Sequence, residues 1–373
     1  MTILIFILII SFLVFIHELG HYLVARRHGV RVKEFGIGYP PRIKRLFTWK
    51  GTAFTINAIP FGGFVKLEGE DYDPQNPPDK PSPTAFYAKP PKSRIAIMVA
   101  GSLANILFGM AAFSMVFGVL GIPRFLEGRP RIEQVAPGSP AAEAGLTADQ
   151  EILGFRLREE FVETPLIDDV VEFVDLNRGE TVTVVTTGAC QGYECPEIAH
   201  EAELTLRTES ETPAGEGSMG VVFSDFFLEK GPWATRIWQG IVYGVREALA
   251  LGVLIVVAVV DLFKQIFTAG TVPAGVAGPV GIVHQASQTS LLSRGWAPLL
   301  EFSGMLSINL GVMNLLPIPA LDGGRVLFVM LEKIFGRKRI QAIEGYVHYG
   351  GFLLLLGLII LISFKDIWQI FQS

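Results

Sequence analysis

The chain has 373 residues, of which 50% are apolar and only 18% are charged, and its mean hydropathy is +0.43. Globular proteins carry about a quarter charged residues. This composition therefore excludes a disordered chain, and the net charge of 31 − 36 = −5 offers no overall basic surface for nucleic acid. Two cysteines exclude a disulfide scaffold and an all-cysteine metal site, which leaves an integral membrane protein with a soluble part.

The first predicted element is an apolar segment at residues 3–25, in which Ser11 is the only polar residue before His17. As a helix, these 23 residues are about 34 Å long, which is enough to cross a hydrocarbon core of about 30 Å. A cleaved signal peptide is the alternative, but no basic region precedes the segment and no small-residue cleavage site ends it. We therefore predict a membrane span.

Three further spans are predicted, at residues 95–119, 297–321 and 346–364. Residues 297–321 are interrupted near their end by Pro317 and Pro319. Residues 248–260 are also uncharged, but 13 residues are too few for a crossing. We therefore predict that 237–267 form a helix that lies at the interface or dips in without crossing, so that the chain spans the membrane four times.

The distribution of charge predicts the orientation. Residues 26–94 carry 13 Lys and Arg against 6 Asp and Glu, whereas residues 124–231 carry 8 against 22. The positive-inside rule places the first stretch in the cytoplasm and the second outside, so both termini face outward. The basic cluster 337–339 is then cytoplasmic as well, which agrees with four spans.

The outer stretch is predicted to be a compact domain at 124–231, between membrane regions at 1–123 and 232–373. It contains runs typical of strands (181–186 and 202–206), a turn at 137–140 and a short helix signal at 141–144. Cys190 and Cys195 lie inside it, and the sequence leaves open whether they form a disulfide or stay free thiols.

The first span contains the pattern HExxH, as His17-Glu18-Leu19-Gly20-His21. Positions i and i+4 share one face of a helix, so two imidazoles converge on one point and the glutamate can reach a metal-bound water. Two neutral histidines that bind Zn²⁺ and a carboxylate that acts as a base form the zincin arrangement. Ionisable residues inside a span are costly and are functional by default; a polar patch that packs helices or relays protons is the alternative.

A catalytic zinc usually has three protein ligands, and the third candidate is Asp322. Pro317 and Pro319 free backbone groups just before it, and such irregular backbone is tolerated at membrane depth only where it lines a cavity or is buried in protein. Gly323 and Gly324 allow close approach beside the carboxylate. The alternative is an ordinary turn aspartate. The remaining histidines are less suitably placed: His28, His200, His284 and His348.

Depth supports the pairing of these two motifs. His17 is 14 residues beyond Ile3, about 21 Å into the membrane from the outer side. The span that ends at Asp322 also runs inward, so both motifs fall in the cytoplasmic half under the four-span topology.

Taken together, the HExxH of the first span and the NxxPxPxLDG at 314–323 resemble the site-2 protease family of intramembrane zinc metalloproteases, in its bacterial branch with one PDZ domain. By this resemblance His17, His21 and Asp322 are zinc ligands and Glu18 is the catalytic base. Asn314 matches a family asparagine thought to contact the substrate backbone or the developing oxyanion, and Asn309 lies where a second one is often found.

Secondary motifs extend the resemblance along nearly the whole chain. Residues 100–105 are similar to the family's AGPxAN and residues 277–282 to its SGPVGI. Residues 61–67, with Gly62, Gly63 and Phe64, match a cytoplasmic-side, membrane-associated β-hairpin that is proposed to pair with the substrate; an ordinary cytoplasmic hairpin is the alternative. A glycine-rich apolar edge suits β-strand addition.

The outer domain begins, at 132–146, like a PDZ domain of this family, so the resemblance implies an extracytoplasmic PDZ-like α+β domain. It then departs from the pattern: the expected PGDxI is replaced at 147–152, and 190–197 look like an insertion. The family's substrates are single-span membrane proteins that another protease has already shortened on the outer side.

The fold class predicted is thus a multi-pass α-helical membrane protein of the cell membrane, with the active site in the cytoplasmic half of the bilayer. The function predicted is intramembrane hydrolysis of a peptide bond. A non-catalytic scaffold that recruits partners through the outer domain and a zinc transporter are the alternatives. A scaffold has no need of both motifs, and a transporter requires ligands spaced along a path.

Overall fold

The computed structural model describes residues 2–70, 82–125, 130–158, 160–192, 194–196, 200–213, 216–224, 226–270, 278–288 and 295–372. The helices are α1 (Thr2–Arg27), α2 (Pro91–Leu120), α3 (Pro140–Glu143), α4 (Ile167–Leu176), α5 (Trp233–Ala269), α6 (Pro279–Gln288), α7 (Trp296–Leu315), α8 (Asp322–Phe335) and α9 (Arg337–Gln372). The strands are β1 (Val32–Trp49), β2 (Thr52–Leu67), β3 (Ile122–Phe125), β4 (Arg131–Val135), β5 (Ile152–Leu157), β6 (Glu160–Glu163), β7 (Thr181–Thr186), β8 (His200–Thr205), β9 (Val221–Ser224) and β10 (Phe226–Glu229).

The chain forms two compact units. The first, the membrane unit, comprises residues 1–119 and 237–373, and the second, the inserted unit, comprises residues 120–236. The inserted unit covers the domain predicted at 124–231. Ala277, Tyr193 and Glu197, which belong to two of the sequence motifs, lie outside the described residues.

In the described part of the chain, four helices are long and apolar enough to cross a membrane: Ile3–Arg27, Pro91–Leu120, Trp233–Ile266 and Arg337–Phe371. The predicted class, a multi-pass helical membrane protein, agrees with this finding. Two predicted segments differ from this set: 237–267, predicted not to cross, contains one of the four helices, and the span predicted at 297–321 contains none of them.

The helix predicted at 237–267, whose uncharged run was judged too short to cross, is α5, with 37 residues from Trp233 to Ala269. Charges at Arg246, Glu247 and Asp261 had limited the apolar run to 13 residues. They interrupt the run without ending the helix, because charged residues are good helix formers and no Pro or Gly pair stops the chain there. Ala248 of α5 is buried against Phe113 and Ile308, so this helix belongs to the bundle.

The span predicted at 297–321 is α7, which ends at Leu315 after 20 residues and is not among the four apolar helices. Its hydropathy is lowered by Glu301, Asn309 and Asn314. Phe302 and Leu306 nevertheless pack against α1, and Ile308 packs against α2 and α5. A helix enclosed by other helices tolerates polar residues because lipid does not have to solvate them.

The β-hairpin of the membrane unit is longer than the segment predicted at 61–67. Strands β1 and β2 pair with each other over 18 and 16 residues. Phe35 lies opposite both Phe54 and Val65, so the first part of β1 has neighbours on two sides. Phe35 and Tyr22 of α1 meet edge to face at 5.7 Å, and this buried contact holds the hairpin against α1. Residues 63–67 pair only with β1 in the described structure, which leaves one edge without a partner strand.

The inserted unit has an α+β architecture. A four-stranded sheet in the order β6-β5-β7-β8 and the pair β4-β9 enclose a core in which Phe155 stacks on Phe173 of α4 at 4.5 Å. The short helix α3 begins after Ser139, whose hydroxyl accepts a hydrogen bond from the Ala142 N–H. The two ends of the inserted unit pair with each other as strands β3 and β10. Cys190 and Cys195 form a disulfide, which settles the alternative left open by the sequence.

Candidate metal centre

Helix α1 presents His17 and His21 on one face, with their Nε2 atoms 3.1 Å apart. Asp322 reaches them from the far end of the chain: its Oδ2 lies 3.0 Å from His17 Nε2 and 3.2 Å from His21 Nε2. The three residues thus meet at one point although 305 positions separate His17 from Asp322. In the described structure they form a group of side chains able to hold a metal ion.

The segment between α7 and α8 positions the Asp322 carboxylate next to the two histidines. Helix α7 stops at Leu315, ahead of Pro317 and Pro319, which have no backbone N–H to continue it. Helix α8 then begins at Asp322 itself. A Cβ on Gly323 would overlap the carbonyl oxygens of Leu315 and Leu316, so the predicted close approach beside the carboxylate requires glycine.

The chemistry of the donor atoms fits zinc. The Ile97 carbonyl can only accept a hydrogen bond, so His21 Nδ1 carries the proton that it donates at 2.7 Å, and His21 Nε2 presents a lone pair. Three electron-pair donors separated by 3.0 to 3.2 Å repel one another unless a cation lies between them. Tetrahedral zinc with bonds of about 2.0–2.1 Å separates its ligand atoms by about 3.3 Å.

Two nitrogens and one oxygen are also the usual protein ligands of a catalytic zinc, which keeps a fourth position open. His17 Nδ1 is buried without a hydrogen-bond partner in the described structure, so no polar contact fixes that ring apart from the centre itself. Zinc bound by His17, His21 and Asp322 would hold the ring in place.

Helix α2 leaves room for the centre through Gly101, part of the motif at 100–105. A Cβ at this position would stand 2.8 Å from His17 Nε2 and closer still to His21 Nε2. Any side chain here would therefore press on both metal-binding nitrogens. The sequence analysis quoted this glycine within a motif but gave it no role.

The predicted base, Glu18, lies beside the centre in a cavity of about 300 Å³. Val65, on the hairpin segment that has a free edge, lines this cavity together with Glu18. Gly63 and Phe64 line the same cavity. Gly62 lies next to Tyr39 and Val14 at the neighbouring position of β2. Three predicted substrate-binding residues are thus placed along α1, close to the metal ligands.

The two asparagines predicted to bind substrate lie apart from these hairpin residues. Asn309 and Asn314 are half-buried on α7, and neither lines the cavity of the metal centre in the described structure. Their roles in substrate binding stay predictions. None of the other histidines joins the metal group: His28 contacts Ser93 at 3.0 Å, and His348 Nδ1 accepts a hydrogen bond from the Ala320 N–H at 2.8 Å.

Three polar residues that line the cavity were missed by the sequence analysis: Tyr39, Glu70 and Arg325. Arg325 follows Asp322 by one helical turn, a spacing that could have indicated it, and it forms an ion pair with Glu70 at 2.5 Å. Tyr39 had no comparable signal. Burial raises the pKa of the Tyr39 hydroxyl, and the nearby Glu18 charge adds to the shift, so it stays a neutral hydrogen-bond donor.

An HExxH helix, a distant aspartate and a bundle of apolar helices together define a membrane-bound zinc metallopeptidase. Comparison with known proteins specifies the family. The chain belongs to peptidase family M50, whose profile matches residues 5–358. The resemblance inferred from the motifs is therefore confirmed.

Curated relatives agree over nearly the full length. A protein of Rhizobium meliloti is 30% identical, with 98% of this chain and 96% of the relative covered. One of Campylobacter jejuni is 32% identical, covering 98% and 92%. One of Fusobacterium nucleatum is 30% identical, covering 100% of both chains. All three carry the name "Putative zinc metalloprotease".

The protein is therefore a zinc metalloendopeptidase of the membrane, and zinc is its cofactor. This result favours the predicted peptidase over the alternatives of a non-catalytic scaffold and a zinc transporter. The substrate, the roles of individual residues and the orientation in the membrane are matters for proposal.

Proposed function

We propose that this peptidase hydrolyses a peptide bond within or next to the transmembrane segment of single-span membrane proteins, that is, regulated intramembrane proteolysis. The observation that carries the proposal is the position of the metal group: His17 and His21 lie in the second half of α1, inside residues 3–27, which are apolar enough to span a bilayer. A water-soluble substrate would have no access to a centre at that depth, whereas a membrane-embedded polypeptide would.

Zinc, when bound by His17, His21 and Asp322, polarises the scissile carbonyl and lowers the pKa of a water molecule towards about 7. The Glu18 carboxylate accepts a proton from the attacking water and later delivers it to the leaving amine. The hairpin lies beside this carboxylate, since a Cβ at Gly63 would stand 3.7 Å from Glu18 Cγ. Asn314 is proposed to donate a hydrogen bond to the carbonyl oxygen as charge develops, with Asn309 in a supporting role.

The hairpin supplies the proposed binding surface for the substrate backbone. A transmembrane helix hides its peptide bonds in its own hydrogen bonds, so the substrate has to unwind before cleavage. Residues 63–67 have an unpaired edge next to Glu18, and an unwound segment would add to it as a strand. Gly62, Gly63 and Phe64 are the residues proposed to contact it.

Packing within the membrane unit supports the proposed direction of the crossings. Phe302, near the start of α7, lies 6.5 Å from Phe6, near the start of α1, so these two helices run the same way. Asp366, near the end of α9, contacts the start of α6, which also packs beside the beginning of α1. The ends of α2 and α9 and the starts of α1, α6 and α7 therefore lie towards one face, proposed to be the outer one.

The position of helix α5 is consistent with this orientation of the other helices. Tyr243 contacts Phe117 near the outer end of α2 at 4.8 Å, so α5 begins towards the outer face. Helix α6 also begins towards that face. We propose four net crossings, by α1, α2, α7 and α9, in the cell membrane, with both termini outside and the metal centre in the cytoplasmic half.

The inserted unit is then extracytoplasmic, and we propose that it is a PDZ-like domain that excludes intact substrates and admits those already shortened by another protease. Its net charge of 8 − 22 = −14 over residues 124–231 is consistent with the outer side. The Cys190–Cys195 disulfide is consistent with an oxidising compartment.

The test is Glu18→Gln in the full chain, reconstituted into vesicles with a single-span substrate. Because the amide has no basic carboxylate but similar size, cleavage should fall by at least about 10³-fold while zinc content, measured by atomic emission, stays at the wild-type value. The matched control is Glu301→Gln on α7, which should retain both. Wild-type turnover by a zinc-loaded Glu18→Gln protein would rule out the proposed role of Glu18.

A further inference from the structure

A second cavity, of about 560 Å³, adjoins the cavity of the metal centre. Its volume falls in the range of ligand pockets. Four residues line both cavities and therefore form the wall between them: Glu70, Phe86, Met98 and Arg325. The metal ligands and Glu18 line only the smaller cavity. The second cavity thus lies beside the place where the scissile bond would bind, and it is separate from the catalytic groups.

The wall between the cavities contains a partly exposed ion pair. The Arg325–Glu70 ion pair has side chains that are 41% and 24% exposed, and pairs at that exposure contribute little to stability because water screens them. By comparison, the Arg94–Glu332 pair that also joins α8 to the rest of the unit is only 5% and 7% exposed. The Arg94–Glu332 pair is therefore the more buried of these two ion pairs of α8.

The lining of the second cavity includes a carboxylate that no Lys or Arg of the described chain contacts. Arg94 and Arg325 line it, but each is engaged with another carboxylate. Glu344 lines it without an ion pair to any Lys or Arg of the described residues; its nearest basic atom is His348 Nε2, at 4.0 Å. His348 Nδ1 accepts the Ala320 N–H, so this ring is the neutral tautomer and forms no ion pair with Glu344. Arg325 and Arg94 act on the Glu344 carboxylate only from beyond ion-pair distance, which leaves it without a contacting basic group in the described structure.

The remaining lining suits a cation as well. Tyr87, Tyr346 and Tyr349 surround the cavity, and the faces of aromatic rings attract ammonium and guanidinium groups. The cavity also adjoins the start of α9, which carries the basic cluster at 337–339 and is assigned to the cytoplasmic side. Single-span proteins carry their Lys and Arg on that same flank, as the positive-inside rule describes.

We propose that the second cavity is a subsite of the peptidase that takes a Lys or Arg side chain from the cytoplasmic flank of the cleaved transmembrane segment, with Glu344 binding its charge. The inference rests on the proposed function, because it assumes a membrane-embedded substrate. Ala320 links the two places directly: it lines the cavity of the metal centre, and its N–H donates to His348 in the second cavity. Glu344 is therefore a specificity-determining residue that takes no part in the chemical step.

The experiment compares two substrates that differ only at the flank, one with Lys and one with Gln. Binding is measured to the full chain carrying Glu18→Gln, so that the readout does not depend on turnover, and KM and kcat are measured with the active enzyme. Glu344→Gln should weaken binding of the Lys substrate about tenfold, raise its KM in parallel and leave kcat unchanged. It should not affect the Gln substrate, and Glu344→Asp should restore most of the binding.

A second variant tests the cavity without touching its charges. Gly345 lines the cavity and a Cβ there meets nothing within 4 Å, so the backbone has room for the larger side chain of Gly345→Phe, which is introduced to obstruct the cavity. Gly350→Phe is the matched control, since it lies on the same helix, is also free of neighbours and does not line the cavity in the described structure. Gly345→Phe should raise the KM of the Lys substrate at least about fivefold, and the control should not.

Equal effects of Glu344→Gln on both substrates, or equal effects of the two glycine variants, would overturn the subsite. Failure of the proposed function has a different signature, since the active wild-type enzyme would then cleave neither membrane substrate. Zinc content is measured in each variant, and a loss of zinc on Glu344→Gln would also contradict the proposal.

Discussion

At the scale of single residues, the metal centre depends on what surrounds its ligands as much as on the ligands. The Ile97 carbonyl sets the tautomer of His21 at 2.7 Å, and that hydrogen bond turns the Nε2 lone pair towards His17 and Asp322. Gly101 keeps the facing side of α2 free of atoms. These two positions on α2 contribute no zinc ligand, yet they decide where the ligand atoms meet.

Gly101→Ala is expected to weaken zinc binding about tenfold or more. The added Cβ would crowd His17 and His21, and relief of such overpacking costs about 1–3 kcal/mol, which here falls on the ligand geometry. Competition with a chelator measures the affinity. Gly118→Ala on the same helix, where a Cβ meets nothing within 4 Å, is the control and should bind zinc like the wild type. Unchanged affinity in Gly101→Ala would mean that α2 moves away at little cost.

At the scale of secondary-structure elements, the glycine motif at 278–282 has a structural explanation. The buried carboxylate of Asp366 on α9 accepts hydrogen bonds from the backbone N–H groups of Gly278, at 2.9 Å, and Gly281, at 2.8 Å. A Cβ on either glycine would come within 3.0 Å of that carboxylate. The glycines therefore let α9 approach the N-terminus of α6, where a negative charge is favourable.

Substitution of Asp366 should loosen α6 from α9. Asp366→Leu leaves two buried N–H groups without an acceptor, at about 1–3 kcal/mol each, so the thermal unfolding midpoint in detergent should fall and hydrogen exchange in α6 should rise. Asp366→Asn keeps one acceptor oxygen and should show a smaller effect on both. If the leucine and asparagine variants were equally stable, the hydrogen bonds to α6 would not be what holds the two helices together.

At the scale of the whole molecule, the chain combines an apolar membrane unit with an acidic inserted unit that carries its own core. The Cys190–Cys195 disulfide lies in the inserted unit, next to the buried Arg131–Glu151 ion pair. Arg131 donates to the Gly192 carbonyl, inside the loop that the disulfide closes. The covalent link therefore stabilises the loop that covers this ion pair.

The state of the two cysteines reports on the proposed orientation. In cells denatured without reductant, both should resist alkylation, and both should react after reduction, as a mass shift would record. Alkylation without reductant would contradict an oxidising outer location. Replacing both by serine should lower the stability of the inserted unit by about 2 kcal/mol, the value for so short a loop, and leave the zinc content unchanged.

Local sequence patterns were sufficient to predict most helices and strands and the group of two histidines and one aspartate at the site. HExxH requires only the helical repeat to bring His17 and His21 together, and Pro317 and Pro319 end α7 because of their own covalent structure. The length and apolarity of residues 3–25 predict a span for the same reason. Such inferences succeed because each depends on residues within a few turns of one another.

Only the tertiary structure revealed the features that depend on residues far apart in the chain. It showed that α5 is the longer apolar helix and α7 the shorter enclosed one, since charges at 246, 247 and 261 lower a local hydropathy count without ending a helix. It also placed Tyr39, Glu70 and Arg325 around the zinc ligands and Glu344 in the neighbouring cavity. Local composition and residue spacing determine which helices form and which helix face is polar. Which side chains meet across the site is determined only when the helices and the hairpin pack together.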